Sequence, residues 1–248
     1  MSQCILVTSG RGGLGKSVVV AGLAQALALQ GQRVALVEGT HRSLDLLFGV
    51  SQRAVFDWVD LVEGRCSLAD ALLPLEGALD GEPGPAPALL CGPSYGAPLP
   101  PAPPLGELCA RLEELYDLVL VEAGDQPAGL LRQWARAASR GVVVATPDPV
   151  AVRAGREVSD LLDEEGVPQV QLCVNMLPAD FLKTRPVPDL DWMIDQVCAQ
   201  LIAVVPWERV LSGPLEIGKK LRLSNVTKII FDNFAQRILG NYIDLWIQ

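Results

Sequence analysis

Residues 10–17 read Gly-Arg-Gly-Gly-Leu-Gly-Lys-Ser, and they match the phosphate-binding loop pattern G-x-x-x-x-G-K-[ST] at every fixed position. An apolar, strand-like run, Cys4–Thr8, comes immediately before, and a helix-like run, Ser17–Gln30, immediately after. A loop that wraps a phosphate chain with its own N–H groups leaves no room for inward side chains, which accounts for Gly10, Gly12, Gly13 and Gly15. Lys16 then supplies a point charge to the β- and γ-phosphates, and the Ser17 hydroxyl a ligand for Mg²⁺. The helix N-terminus behind the loop adds positive potential. The expected nucleotide contacts run through Gly10, Arg11, Gly12, Gly13, Leu14, Gly15, Lys16, Ser17 and Val18. A plain glycine-rich turn is the alternative, and the complete motif between a strand and a helix weighs against it.

Outward from the loop, further apolar runs recur at Arg33–Glu38, Ala88–Cys91, Leu118–Glu122, Val142–Thr146, Val170–Asn175 and Leu201–Val205. Their nearly unbroken Val/Ile/Leu character is what a parallel sheet buried on both faces requires. Helical patterns lie between them, at Pro149–Glu165 closed by Gly166 and at Leu190–Gln200. The alternation predicts an α/β fold, a doubly wound, mostly parallel sheet with helices on both faces and a ligand at the carboxyl ends of the strands. One nucleotide-binding domain over residues 1–240 is expected, followed by a short apolar tail at 241–248. Between Pro83 and Pro104 lie nine prolines around the short 88–91 run, read as two stiff surface loops flanking a strand. A proline-dependent docking site is the sharper reading of the same stretch.

The chain has 248 residues, half of them hydrophobic, enough for one large domain with a covered core. Its 20 basic residues against 29 acidic ones give a net charge of −9, so a general nucleic-acid partner is not expected. The six cysteines show no ligand spacing, and several sit in apolar runs, as small buried hydrophobes of a reducing compartment do. No charged-then-apolar leader is expected from the Met1-Ser-Gln start, and no apolar run reaches the ~20 residues that a membrane span needs. A soluble, cytoplasmic protein is expected.

A charged residue at 11 followed by Gly12-Gly13-Leu14-Gly15-Lys16-Ser17 resembles the K-G-G-x-G-K-[ST] loop of the MinD/ParA family of ATPases. Other stretches keep that family's order. Gly31-Gln-Arg-Val-Ala-Leu-Val-Glu38 resembles its second strand, and Leu44-Asp-Leu-Leu-Phe-Gly49 the segment after its first switch. Leu118-Val-Leu-Val-Glu-Ala-Gly-Asp125 resembles its Walker B strand and second switch, and Thr146-Pro-Asp-Pro-Val-Ala-Val-Arg153 its T-P-E-x-x-A-V-R stretch. Leu172-Cys-Val-Asn175 resembles the strand ending in an adenine-contacting Asn, and Val204-Val-Pro206-Trp-Glu208 the V-I-P-x-[DE] stretch after the next strand. The likeness covers nearly the whole chain and is nearer to MinD than to ParA. It implies ATP and Mg²⁺ as cofactors, with Asn175, Pro206 and Glu208 added to the nucleotide contacts. It also implies an ATP-dependent homodimer, an activating protein partner, and a charged residue at 11 that reaches the partner's phosphates.

The departures from that pattern fall on the expected catalytic positions. The family's signature lysine is Arg11, a planar fork in place of an ammonium. The family's D-x-D at the first switch reads Glu38-Gly39-Thr40, and its Walker B aspartate is Glu122, with Asp125 a stand-in three residues on. Arg11, Lys16, Glu38 and Thr40 are therefore the catalytic candidates, and Ser17, Glu38 and Glu122 the metal candidates. His41, the one histidine, is open to two readings: it positions water, or it is a loop residue with no role. The expectation is an ATP-binding, dimerising switch with slow or partner-dependent hydrolysis, in division-site placement or related spatial organisation. The alternative is a non-hydrolysing scaffold of the same fold. At the C-terminus, Phe231, Phe234, Ala235, Ile238, Tyr242, Leu245 and Trp246 recur at helical spacing as one apolar face. Membrane docking of the tail and burial against protein stand open.

Overall fold

The computed structural model describes residues 2–76, 84–124, 128–181, 189–208 and 223–245. Its strands are β1 (Gln3–Ser9), β2 (Val34–Glu38), β3 (Leu72–Pro74), β4 (Ala88–Leu90), β5 (Leu118–Gly124), β6 (Arg140–Ala145), β7 (Val170–Leu177) and β8 (Gln200–Pro206). They form one sheet in the order β3-β4-β2-β5-β1-β6-β7-β8. Every pairing is parallel except β3 with β4. The chain lays strands on one side of β1, then returns and builds the other side with β6, β7 and β8. The carboxyl end of β1, where the loop begins, is therefore the point at which the winding reverses, the usual ligand position in such sheets.

Alternation along the strands decides which side chain meets which helix. Ile5, Val7, Val34, Leu36, Leu118 and Leu120 fall in the core shared with α1 (Lys16–Leu29) and the C-terminal helix Asn225–Ile238. Cys4, Leu6, Ala35, Val37, Val119 and Val121 fall in the other core. That face is covered by α3 (Trp58–Val62), the single turn α4 (Leu68–Ala71), α5 (Leu105–Glu113), α6 (Ala128–Ala137), α7 (Pro149–Glu164) and α8 (Leu190–Val197), while the single turn α2 (Leu44–Leu47) packs on the α1 side and α9 names the C-terminal helix. The same parity carries Glu38 and Glu122 onto the α1 side, one register step beyond the last apolar rows. They are direct cross-strand partners, and Glu122 in turn pairs with Val7.

The expected strands and helices are present with shifted ends. The helix expected over Leu190–Gln200 stops at Val197, because Cys198 turns left-handed (φ 54°) and Gln200 opens β8. Helices α2, α3, α4, α5 and α6 and the edge strand β3 are additions. So is the length of β7, which runs past Asn175 to Leu177 through a bulge where Met176 takes φ 57°. The apolar stripe from Phe231 onward is not one continuous face: α9 ends at Ile238, and Gly240 (φ 88°) breaks the helix before Tyr242. The chain then folds back, with Arg237 Nε donating to the Ile243 carbonyl at 2.9 Å. Asp244 and Leu245 close over a small cavity lined by Ile202, Ala203 and Phe234. Among the described residues, no helix is long and apolar enough to cross a membrane.

Candidate functional site

The loop between β1 and α1 is fixed from beneath and open above. Gly10 lies so close to α7 that a Cβ there would sit 2.1 Å from the Ala154 carbonyl oxygen, so no larger residue fits. Gly15 has φ +80°, and a Cβ on it would meet Asn175 Nδ2 at 2.4 Å. Asn175, buried on β7, donates from that same amide nitrogen to the Leu14 carbonyl at 2.8 Å. The Leu14 side chain is sunk in the α1-side core. Gly12 and Gly13 face open space. Helix α1 then starts at Lys16 with no side-chain cap, so the N–H groups of its first turn, Val18 included, point toward the loop's mouth. Lys16 Nζ donates to Ser9 Oγ at 2.9 Å, and Ser9 Oγ donates to the Arg11 carbonyl at 2.7 Å. Arg11 is exposed, with its guanidinium 4.0 Å from Asp148.

At the ends of β2 and β5 the two glutamates take different roles. Glu122 accepts from Ser17 Oγ at 2.7 Å through one oxygen and from Ser43 Oγ at 3.3 Å through the other. Burial pushes its carboxyl above the ordinary value, against the pull of Ser17, Lys16 and Ser43 toward the charged form. Glu38 is turned into the chain that follows it. One of its oxygens accepts from the backbone N–H groups of Ser43 (2.5 Å), Leu44 (2.5 Å) and Asp45 (3.3 Å), the other from Gly92 N (2.9 Å). Burial pushes Glu38 up to about 7, although the Ser43, Gly92 and Leu44 amides favour the carboxylate.

The structure thus brings Ser17 and Glu122 into contact and places the Glu38 carboxylate among backbone amides. Thr40 Oγ1 accepts from Gly124 N at 3.4 Å. His41 packs against Tyr95 with ring centroids 5.2 Å apart. Pro206 ends β8, and Glu208 accepts from the hydroxyls of Ser224 and Thr227 at the start of α9. Asp125 lies outside the described residues.

Three features were not singled out in the sequence. Ser43 joins the Ser17–Glu122 pair, and Ser-Leu-Asp before a short helix was its only local signal. Asp148 caps α7 by accepting from Val150 N and Ala151 N, and Asp-Pro at a helix start announces that cap. Trp58 and Trp134, both fully buried and packed edge to face, donate their indole N–H groups to consecutive carbonyls, Glu38 (3.0 Å) and Gly39 (2.8 Å). No local pattern marks that pair, because it is assembled from two distant helices.

The donors that converge here are hard oxygens: the hydroxyls of Ser17 and Ser43 and the buried Glu122 carboxylate, beside the glycine loop that leads into α1. Ser17 and Glu122 fit a Mg²⁺ ion carried by a phosphate chain, since that ion takes few protein ligands and keeps the rest as phosphate oxygens and water.

The family profile of the CobQ/CobB/MinD/ParA nucleotide binding domain matches residues 5–52. The septum site-determining protein MinD of Bacillus subtilis is 30% identical over 256 aligned residues, covering 100% of this chain and 92% of its own length. Among solved structures, the MinC:MinD cell division protein complex of Aquifex aeolicus superimposes with a TM-score of 0.83 at 23% identity, covering 99% of each chain. The MinD protein of Pyrococcus horikoshii complexed with Mg-ADP superimposes with a TM-score of 0.77 at 23% identity, covering 96% of each chain.

Proposed function

The chain belongs to the MinD/ParA family of P-loop ATPases, and from that premise we propose that it is an ATP-binding, dimerising switch of the MinD kind, acting in division-site placement. The observation that carries the proposal is the contact between Ser17, at the first turn of α1, and Glu122, at the end of β5, beside Lys16 and an open glycine loop. Mg²⁺-bound ATP supplies a transferable γ-phosphoryl group. The chain's own share is binding and orientation. The loop amides and Lys16 hold the phosphates, Ser17 and Glu122 hold the cation, and Arg11 stands exposed at the rim where a second chain approaches. The solved MinD relative with Mg-ADP supports the nucleotide and the ion, and the one solved with MinC supports a protein partner. Tyr242, almost fully exposed after α9, supports contact of the tail with a membrane surface.

Hydrolysis is proposed to be slow or partner-dependent. Thr40 has no charge with which to orient water, and the Glu38 carboxylate is taken up by four backbone amides. Losing one positioned group of this kind costs about 10²–10³ in turnover and leaves binding intact. The same observation favours the second reading, a scaffold that binds ATP without turning it over. Phosphate release from ATP, measured alone and with liposomes, separates the two. Lys16→Ala is expected to lower ATP affinity at least ~10-fold and to abolish any turnover. Wild-type affinity in that variant would overturn the proposal.

A further inference from the structure

Ser43 stands at the N-cap of α2, where a serine hydroxyl ordinarily accepts from the N–H groups of its own helix, yet it makes no such bond. The capping is done by Glu38, whose carboxylate accepts from Leu44 N and Asp45 N. The Ser43 hydroxyl faces the phosphate loop instead, 3.3 Å from Ser17 Oγ and 3.3 Å from Glu122. Three side chains from three separate elements thereby close a triangle, whose third side is the 2.7 Å bond between Ser17 and Glu122.

The position of Ser43 is determined from both sides. Its own N–H donates to Glu38 at 2.5 Å, and the preceding Arg42 donates from Nε to the Gly92 carbonyl at 3.0 Å. Upstream, the buried indoles of Trp58 and Trp134 hold the carbonyls at 38 and 39. A hydroxyl held this firmly, and relieved of its local partner by a neighbouring carboxylate, is placed for a purpose other than helix capping.

We propose that Ser43 is a positioning residue of the cation site: by donating to one Glu122 oxygen while Ser17 donates to the other, it fixes the carboxylate, and through it the Ser17 hydroxyl, in the orientation that receives Mg²⁺-nucleotide. The inference rests on the nucleotide-binding function proposed above. It assigns to the first switch a neutral oxygen donor at Ser43, where the acid expected at Thr40 is missing. Partners that orient a metal's ligands change metal affinity by roughly 10–100-fold when removed.

The test measures binding of a fluorescent ATP analogue in EDTA and across a MgCl₂ titration, for the wild type, Ser43→Ala, Ser43→Thr and Lys16→Ala, with thermal unfolding of each. Ser43→Ala is expected to melt like the wild type and to bind the analogue equally in EDTA. It is also expected to need at least ~10-fold more Mg²⁺ for half-maximal enhancement. Ser43→Thr, which keeps the hydroxyl, is expected to restore the wild-type Mg²⁺ midpoint. An unchanged midpoint in Ser43→Ala overturns the inference, as does a loss of binding in EDTA or a threonine variant no better than alanine. Failure of the wild type to bind, or full binding by Lys16→Ala, instead overturns the nucleotide-binding reading beneath it.

Discussion

Glu38 shows how one residue's surroundings change its meaning. In the folded protein it keeps its proton up to about pH 7, against an ordinary value of 4.5. Between those values the unfolded chain has released the proton and the folded one has not, so the unfolded state binds fewer protons. Stability from this group is therefore fully present below pH 4.5, falls as pH rises, and levels off above about 7. The slope has a ceiling of about 1.4 kcal/mol per pH unit. Glu38→Gln is expected to remove that part of the pH dependence. It should also cost about 1–3 kcal/mol throughout, because an amide N–H then confronts the N–H of Gly92. Urea unfolding of both proteins at pH 5 and pH 7 checks this, and identical pH dependence in the two would refute it. The sequence marked Glu38 as a candidate residue of the first switch. It could not show that the carboxylate faces Ser43, Leu44 and Gly92, because those amides come from a turn and from a loop 54 residues away.

Among the elements, β1 and α1 were legible because they are long, strongly patterned and joined by a motif whose glycines have mechanical causes. The edge strand β3 was not: three residues ending in proline carry too short a pattern, and pairing with β4 alone makes them a strand. Helix α9 was visible as an apolar stripe that runs on into the tail as one face, since spacing alone does not reveal that Gly240 adopts φ 88° and redirects the chain. The tail beyond it is tethered to α9 through Arg237 and leaves the Tyr242 ring in solvent. Truncation after Gly240 is expected to leave nucleotide binding unchanged and to abolish co-sedimentation with anionic liposomes. Undiminished co-sedimentation would remove the membrane from the proposed function.

At the scale of the molecule, the reversal of winding at β1 puts the loop, the switch after β2 and the end of β5 along one edge of the sheet. That edge also exposes Arg11. A second copy meeting the first across this edge would bury both nucleotides, so the mass in solution is expected to double in ATP and to remain that of one chain in ADP. Light scattering on Lys16→Ala should show one chain in both, and a wild-type mass indifferent to nucleotide would sink the dimer. The sequence by itself determined the α/β class, the phosphate-binding loop and the family likeness, because strand burial, helix amphipathy and tight glycine turns are local constraints written in consecutive residues. Only the tertiary structure decided which of two cross-strand glutamates faces the loop's serine, which one caps the first switch, and that Ser43 completes the site. Those assignments depend on register between strands and on amides from distant segments, and no window of neighbouring residues contains them.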